Sequence, residues 1–375
     1  MTVTQPAWFI PALFSLALTS FATAQPAARP LPAATVAQID SIVRDIMREK
    51  NLPSVAVGVW IPGQGEYQAA FGTANLQTGR MRQVGDAFRI ASISKTFTAT
   101  AILQLADQGQ LSTSDLLSNW FPDFPNSSRI TVKDLLTMRS GVAEYADADV
   151  LAAYYRRPLA PFTAQDAVRL AAAKVASFTA PDEQTVYTNT NYVLLEQIVE
   201  RVSGQDMDAY LQANVMTPLG LRRTFYATGP LLPSLLHGYS LDPDTGTFRD
   251  MTWLNPQLAG GAGAVVSTLD DLHTYVRALC TGTLLQPATQ AERLAGQPGA
   301  GSPSFIQYGE GVLLFGPFCG HNGSIFGFSS EAFYLPARDA VIVINVSRLD
   351  HDDKSHSSEL FLRLSKALFP AEVNW

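Results

Sequence analysis

The chain of 375 residues is 47% hydrophobic and 16% charged, a composition that supplies a large buried core and excludes a disordered or collagen-like polymer. Its 26 Lys and Arg against 33 Asp and Glu give a formal net charge of −7, which argues against a nucleic-acid partner. The two cysteines, Cys280 and Cys319, exclude a four-cysteine zinc site and permit one disulfide outside the cytosol.

The N-terminal segment predicts a signal peptide over residues 1–24. Residues 7–21 are nearly all apolar, and Ala22-Thr23-Ala24 has the small-x-small form that signal peptidase cleaves. An uncleaved anchor is the alternative, but a bilayer span takes about 20 apolar residues, and Pro11 interrupts this shorter run. We therefore expect a secreted or periplasmic protein whose mature chain, after a lead-in over 25–32, has no integral membrane span.

Helix and strand patterns alternate at both ends of the chain. Near the start, residues 35–50 have the spacing of an amphipathic helix, and residues 54–60 and 66–71 predict an antiparallel hairpin. Near the end, strands are predicted at 311–315, 331–335 and 341–346, followed by a helix over 358–369.

The centre of the chain is mostly helical. Helical patterns cover residues 96–108, 132–138, 164–175, 192–202, 206–215 and 268–279. Stretches rich in Gly and Pro at 229–250 and 286–303 predict surface loops. The fold class predicted is α/β, with an antiparallel sheet flanked by helices in a domain built from 33–93 and 304–375, and a mostly helical domain inserted over 94–303.

A serine and a lysine stand three residues apart at the start of a predicted helix, in Ser92-Ile93-Ser94-Lys95. Residues i and i+3 share a helix face, so the Lys95 amine can lie beside the Ser92 hydroxyl. A buried lysine has a lowered pKa and can accept the serine proton near neutral pH. Alone, so short a pattern also occurs by chance.

Two further segments carry candidate site residues. Tyr187 and Asn189 precede a predicted helix, where the phenol could relay a proton and the amide could bind a substrate carbonyl; a packed tyrosine and a helix cap are the alternatives. His321-Asn322-Gly323-Ser324 follows a predicted strand. There His321 could supply a donor or partial positive charge and Gly323 a close backbone approach to a ligand; a surface turn is the alternative.

Taken in order, SISK, YTN and HNG resemble the three motifs of the serine penicillin-recognising enzymes. The stretches ITVKDLLTMRSGVAEY and GGAGAVVSTLDDL are similar to the branch that contains class C β-lactamases and secreted D-alanyl-D-alanine carboxypeptidases. The similarity extends from Ser54 to Val346. It implies a β-lactamase/transpeptidase-like fold and a serine hydrolase that needs no cofactor and no metal.

The resemblance also implies a role for each site residue. Ser92 is the acylated nucleophile, Lys95 its proton acceptor and Tyr187 the base for the second proton transfer. His321 lines the cleft. The substrate-binding residues are Asn189, Asn322, Gly323 and Ser324. The backbone N–H groups of Ser92 and Ser324 form the oxyanion hole.

The substrates implied are D-Ala-D-Ala stem peptides of peptidoglycan or β-lactams. The chain departs from the family at 308–311, Tyr-Gly-Glu-Gly, because the arginine that binds a terminal carboxylate after this segment is absent. An ester or amide without that carboxylate is the alternative, as for a carboxylesterase or D-aminopeptidase. A penicillin-binding sensor without turnover is a third. Met138 and Asp182 also depart from the pattern, and we expect structural roles for both.

Overall fold

The computed structural model describes residues 1–2, 29–178, 180–229, 236–242, 245–299, 301–350 and 355–373. The predicted signal peptide lies outside these ranges except for its first two residues. The strands of the described chain are β1 (Ser54–Ile61), β2 (Gly65–Asn75), β3 (Arg80–Met81), β4 (Phe88–Arg89), β5 (Phe225–Tyr226), β6 (Tyr239–Leu241), β7 (Phe248–Asp250), β8 (Val265–Ser267), β9 (Gln297–Pro298), β10 (Ile306–Tyr308), β11 (Leu313–Phe315), β12 (Phe318–Ile325), β13 (Phe328–Leu335) and β14 (Ala340–Val346).

The helices connect and cover these strands. They are α1 (Ala33–Lys50), α2 (Ser94–Asp107), α3 (Val132–Leu136), α4 (Ala148–Arg156), α5 (Ala164–Ala172), α6 (Thr190–Ser203), α7 (Met207–Leu211), α8 (Thr217–Leu219), α9 (Leu269–Thr281), α10 (Pro287–Arg293) and α11 (His356–Leu368). A π-helical turn, Gln212–Met216, joins α7 to α8. Within the described ranges, no helix is both long enough and apolar enough to cross a membrane.

An antiparallel sheet brings the two ends of the chain together. Its strand order in the described chain is β3-β2-β1-β14-β13-β12-β11-β10-β9. The central pair joins an early strand to the last one, with Val55 of β1 opposite Val346 of β14. The strand that carries His321 to Ser324, β12, lies two positions from β14.

Both faces of the central strands are buried. On β14, Ile342 and Ile344 pack in the cluster that holds α1 and α11, while Val341 and Val343 pack on the opposite face with the helical core. A strand covered on both faces needs apolar residues at successive positions, because alternation would place polar groups in one of the two cores. The predicted α/β architecture, an antiparallel sheet flanked by helices, is confirmed.

Two of the predicted loops contain regular structure. The segment 229–250 holds the hairpin of β6 and β7, in which Tyr239 is buried and lies opposite Asp250. The segment 286–303 holds α10, whose first residue, Pro287, fits a first helical turn because its missing N–H would have no helical partner. In both segments, the prediction of a loop from the Gly and Pro content was wrong for these residues.

A disulfide joins Cys280 of α9 to Cys319 of β12, with 6.0 Å between their Cα atoms. This pairing answers the question that the sequence leaves open. It ties a helix on the sheet to the strand that carries His321, two residues further on.

Candidate active site

Ser92 lies in a short 3-10 turn, Ala91–Ile93, that leads directly into α2. The preceding residue, Ala91, has a φ of +49°, a left-handed conformation that is unfavourable for a residue with a Cβ atom. Such backbone conformations persist where the surrounding structure enforces them, and they concentrate at functional sites. The serine therefore stands at the tip of a constrained turn rather than inside the helix.

Lys95 occupies the centre of the site and is fully buried. Its Nζ lies 3.0 Å from Ser92 Oγ, 2.7 Å from Asn189 Oδ1 and 3.1 Å from the Ala262 carbonyl oxygen. Burial lowers the pKa of Lys95 to about 7, an effect that the charge of Glu144 partly opposes. A substantial fraction of the lysine is thus the neutral amine at neutral pH.

The three neighbours of the Lys95 amine are not equivalent. The Ala262 carbonyl and Asn189 Oδ1 can only accept hydrogen bonds, whereas the Ser92 hydroxyl can donate or accept. A neutral amine has two hydrogens and one lone pair. When the two hydrogens go to Ala262 and Asn189, the lone pair is left for the hydroxyl hydrogen of Ser92. This arrangement suits proton transfer from serine to lysine.

Glu144 fixes which way the Asn189 amide faces. Its Oε2 accepts hydrogen bonds from the Asn189 backbone N–H at 2.6 Å and from Nδ2 at 3.1 Å. With Nδ2 held by a carboxylate, Oδ1 must face Lys95. The sequence analysis missed Glu144, because a single acidic residue in the segment Gly-Val-Ala-Glu-Tyr carries no pattern that marks a site.

Tyr187 and His321 form a second group of residues near Lys95. The Lys95 Nζ is 4.8 Å from the centre of the Tyr187 ring, which is about half exposed. The His321 ring lies 6.3 Å from that ring and is buried. Its Nδ1 donates to the Asn322 carbonyl, and its Nε2 lies 3.3 Å from the Tyr308 hydroxyl.

The environment of His321 differs from the sequence-based expectation. Burial lowers its pKa to about 3, so the imidazole is neutral at physiological pH and supplies no positive charge. It does not line the pocket beside Ser92. Its ring packs near two tyrosine rings, 6.3 Å from Tyr187 and 5.7 Å from Tyr308.

Strand β12 runs against the turn that holds Ser92. A Cβ atom on Gly323 would lie 2.2 Å from the Ile90 carbonyl oxygen and 3.0 Å from the Ser92 nitrogen, so only glycine fits there. The close approach is therefore to the backbone of the Ser92 turn, where a ligand contact was predicted. Ser324, the next residue, lines the same pocket as Ser92.

A pocket of about 370 Å³ opens beside Ser92, Asn189 and Ser324. Its other walls are largely apolar and come from α4, the segments around 254–263 and 324–326, and Leu349; the large apolar side chains are Leu151, Leu254, Leu258, Ile325, Phe326 and Leu349. Of the described residues that line it, none is Lys, Arg or His. The charged one is Asp350, which forms an ion pair with Arg348.

The two other departures from the family pattern have structural roles. Met138 is buried, has a φ of +61°, and its Sδ accepts a hydrogen bond from Asn191 Nδ2 at 3.2 Å. Asp182 has a φ of +66° and pairs with Arg139. Glu310, in the segment without the family arginine, is buried with Lys133 3.8 Å away.

Metal ligands are not grouped in the described ranges, where no three His, Cys, Asp or Glu side chains come together in a way that could hold an ion. Residues 351–354, part of a His-Asp-Asp-Lys-Ser-His run, lie outside them. The chemistry that the described side chains offer is nucleophilic attack by a serine with an adjacent amine base.

A serine activated by a buried lysine, at the junction of an antiparallel sheet and a helical region, defines a hydrolase of the β-lactamase and penicillin-binding superfamily. The chain belongs to the Beta-lactamase family, whose model matches residues 39–364. The resemblance drawn from SISK, YTN and HNG is thereby confirmed.

Known relatives include proteins with different activities in their names. Penicillin-binding protein 4* of Bacillus subtilis (strain 168) is 27% identical over 297 residues, which are 74% of this chain and 65% of that protein. Esterase EstB of Burkholderia gladioli is 30% identical over 214 residues, 54% of each protein. The matched part spans less than two thirds of either relative.

A solved structure agrees over nearly the whole chain. The crystal structure of a D-stereospecific amidohydrolase from Streptomyces sp. matches with a TM-score of 0.78 and 27% sequence identity, covering 91% of this chain and 99% of that one. The chain therefore shares its fold with a protein that is named as an amidohydrolase.

Proposed function

We propose that the chain is an exported serine hydrolase that forms an acyl-enzyme at Ser92. The observation that carries this proposal is the position of the buried Lys95 Nζ, 3.0 Å from Ser92 Oγ and within hydrogen-bond distance of two acceptors, Asn189 Oδ1 and the Ala262 carbonyl oxygen. Export rests on the predicted signal peptide over residues 1–24, and the disulfide in the mature chain is compatible with an oxidising compartment.

The reaction begins with proton transfer from Ser92 to Lys95, while Ser92 Oγ forms a bond to the substrate carbonyl carbon. The oxyanion that develops accepts hydrogen bonds from the backbone N–H groups of Ser92 and Ser324. Collapse of the intermediate breaks the bond to the leaving group, which takes a proton from Lys95 by way of Tyr187. Water then attacks the acyl carbonyl carbon and gives a proton to Lys95; the bond to Ser92 Oγ breaks, the carboxylic acid leaves, and the proton passes from Lys95 to Ser92 Oγ.

The position of the group that protonates the leaving group determines the orientation of the substrate. Tyr187 is near Lys95 but does not line the pocket, so a leaving group protonated by Tyr187 would lie outside the pocket and the acyl group inside it. Asn189 Nδ2 uses one hydrogen on Glu144 and keeps the other for the acyl part of the substrate. Asn322 and Gly323 act through the backbone of β12.

The walls of the pocket favour an uncharged, apolar acyl group in an ester or amide. A carboxylate there would meet no Lys, Arg or His among the described lining residues and would lie near Asp350, whose pKa, despite burial, is lowered by His356 and Arg348. D-Ala-D-Ala peptides and β-lactams form a second candidate class, supported by the likeness to a penicillin-binding protein. In that case a cation outside the pocket must bind their carboxylate.

The deciding experiment is the intact mass of the protein after incubation with a fluorescent penicillin, a chromogenic cephalosporin or a short-chain nitrophenyl ester. Ser92→Ala is the control and is expected to give neither adduct nor turnover. Turnover of the ester alone supports the uncharged class. A long-lived penicillin adduct supports a carboxypeptidase or sensor, and rapid cephalosporin hydrolysis a β-lactamase. Wild-type turnover by Ser92→Ala would refute the proposal.

A further inference from the structure

Glu196 is a buried carboxyl group on α6 that takes no direct part in the chemistry proposed for Ser92. It is 4% exposed. One oxygen accepts a hydrogen bond from the Tyr226 hydroxyl, and the other accepts from the Gly261 backbone N–H at 2.8 Å. Burying a carboxyl costs free energy unless its oxygens are bonded, so both contacts constrain the groups around it.

The turn Gly260–Ala262 is packed directly on this carboxyl. A Cβ atom on Gly260 would lie 2.6 Å from Glu196 Oε2, and one on Gly261 would lie 2.8 Å from Glu196 Cβ. The Gly261 carbonyl accepts a second hydrogen bond, from Thr98 Oγ1 at 2.7 Å. Both polar groups of the Gly261 backbone are therefore held, one by α6 and one by α2.

The next carbonyl in this turn is the one that receives a hydrogen from Lys95. The Ala262 oxygen is 3.1 Å from Lys95 Nζ, and it follows Gly261 by a single residue. With the Gly261 backbone held at both ends, the direction of the Ala262 carbonyl is set. A carbonyl that turned away would free a Lys95 hydrogen to point at Ser92 and displace the lone pair.

We propose that Glu196 is a positioning residue for the reaction of Ser92: it holds the Gly260–Ala262 turn so that the Ala262 carbonyl keeps the Lys95 lone pair directed at the serine. This inference rests on the proposed function, because it concerns the acylation step. It needs no contact between Glu196 and substrate, and Glu196 does not line the pocket.

The electrostatic surroundings of Glu196 make its role testable by pH. The titratable groups that face it are Tyr226 on β5, Tyr145 before α4 and Glu200 one turn further along α6. Burial raises the pKa of Glu196 to about 7, an effect that the hydrogen bonds from Tyr226 and the Gly261 N–H partly oppose. Without its contact to Glu196 the turn is free to move, and loss of the Ala262 carbonyl as an acceptor disfavours the Lys95 ammonium, so the pKa of Lys95 should fall.

The test measures the burst of nitrophenolate from p-nitrophenyl acetate in the full mature chain with Glu196→Leu, Glu196→Gln and, as a matched control, Glu200→Gln. We expect Glu196→Leu to slow acylation about thirtyfold with KM changed less than about threefold, since the transition state alone loses stabilisation. Its rising pH limb should move to lower pH. Glu196→Gln, which keeps one acceptor for Gly261, should recover most of the rate, and Glu200→Gln should match the wild type.

Thr98→Val tests the same turn from the other side, and decides the matter if Glu196→Leu does not fold. Loss of its hydrogen bond to Gly261 should slow acylation about tenfold at unchanged KM, as expected for a positioning contact. Folded Glu196→Leu or Thr98→Val protein that acylates at the wild-type rate would overturn the inference. A wild-type enzyme that never acylates would instead refute the proposed function, and the inference with it.

Discussion

The two sides of Lys95 are built differently. On one side, Asn189, Glu144 and Ala262 form a closed set of hydrogen bonds, the longest of them 3.1 Å. On the other, the Tyr187 ring lies 4.8 Å from Lys95 Nζ and 6.3 Å from the His321 ring, and Tyr187 is about half exposed. The first side can fix the direction of a lone pair. The second leaves room for a leaving group to enter and depart.

The largest expected effect comes from removing the group that both sides share. Lys95→Ala should lower kcat/KM for a nitrophenyl ester at least about a thousandfold, because the proton acceptor for Ser92 is lost. Lys366→Ala, on an exposed part of α11, is the matched control. A Lys95→Ala enzyme within tenfold of the wild type would show that another base acts.

Tyr187→Phe tests the open side. It should slow turnover about a hundredfold, since general acid–base catalysis by one positioned group contributes on that order. The loss should be smaller for a nitrophenyl ester than for an amide, because nitrophenolate leaves without a proton. Stopped-flow measurement of both substrates checks this. Equal losses for the two would mean that Tyr187 does not protonate the leaving group.

The pH dependence sharpens the contrast further. Burial lowers the pKa of Lys95 to about 7, and the neutral amine is the active form. Its fraction rises with pH, so kcat/KM should climb about tenfold per unit below pH 7 and level off above it. Rates measured from pH 5 to 9 test the sign and the midpoint. A rate that keeps rising to pH 10 would indicate an exposed lysine.

Glu144→Ala should weaken the closed side alone. Without its carboxylate the Asn189 amide is free to turn, so it fixes neither the Lys95 hydrogen nor the acyl part of the substrate, and we expect kcat/KM to fall about tenfold. Glu183→Ala, on an exposed residue, is the control for removal of an acidic group. Steady-state kinetics of Glu144→Ala and Glu183→Ala test this. An equal loss of activity in both would mean that the loss of a negative charge, and not the freed Asn189 amide, lowers the rate.

His321→Gln should have the smallest effect, within about threefold on kcat/KM, because a buried, neutral ring supplies no charge to the reaction. Its thermal midpoint should be measured alongside, since the ring is buried. A loss of kcat/KM above a hundredfold in a protein of unchanged stability would show that His321 takes a direct part in catalysis.

Local sequence carried much of this structure. The spacing of Ser92 and Lys95 predicted adjacent side chains, which lie 3.0 Å apart, and the apolar run of β14 predicted a strand. The hydrogen bond from Lys95 to Ala262 joins positions 167 residues apart, and Glu144 is 45 residues from Asn189. No periodicity encodes such pairs, because they exist only after the helices pack on the sheet.

Burial was the second property that the sequence could not supply. The motif indicated where His321 falls, but its charge depends on the rings and strands that cover it. The hairpin of β6 and β7 shows the same limit, since Tyr239 becomes part of a strand through tertiary contacts that outweigh the turn-forming residues around it.

The pairing of β1 with β14 has a consequence for how the chain is made. Val55 and Val346 are neighbours in the sheet, so its centre stays open until almost the whole chain has left the ribosome. Contacts between such distant positions slow folding, because the entropy cost of closing a long loop comes before the free energy gained from strand pairing. For a protein that we propose is exported, slow folding is an advantage. The polypeptide stays unfolded while it passes through a translocation channel, and the sheet forms after translocation.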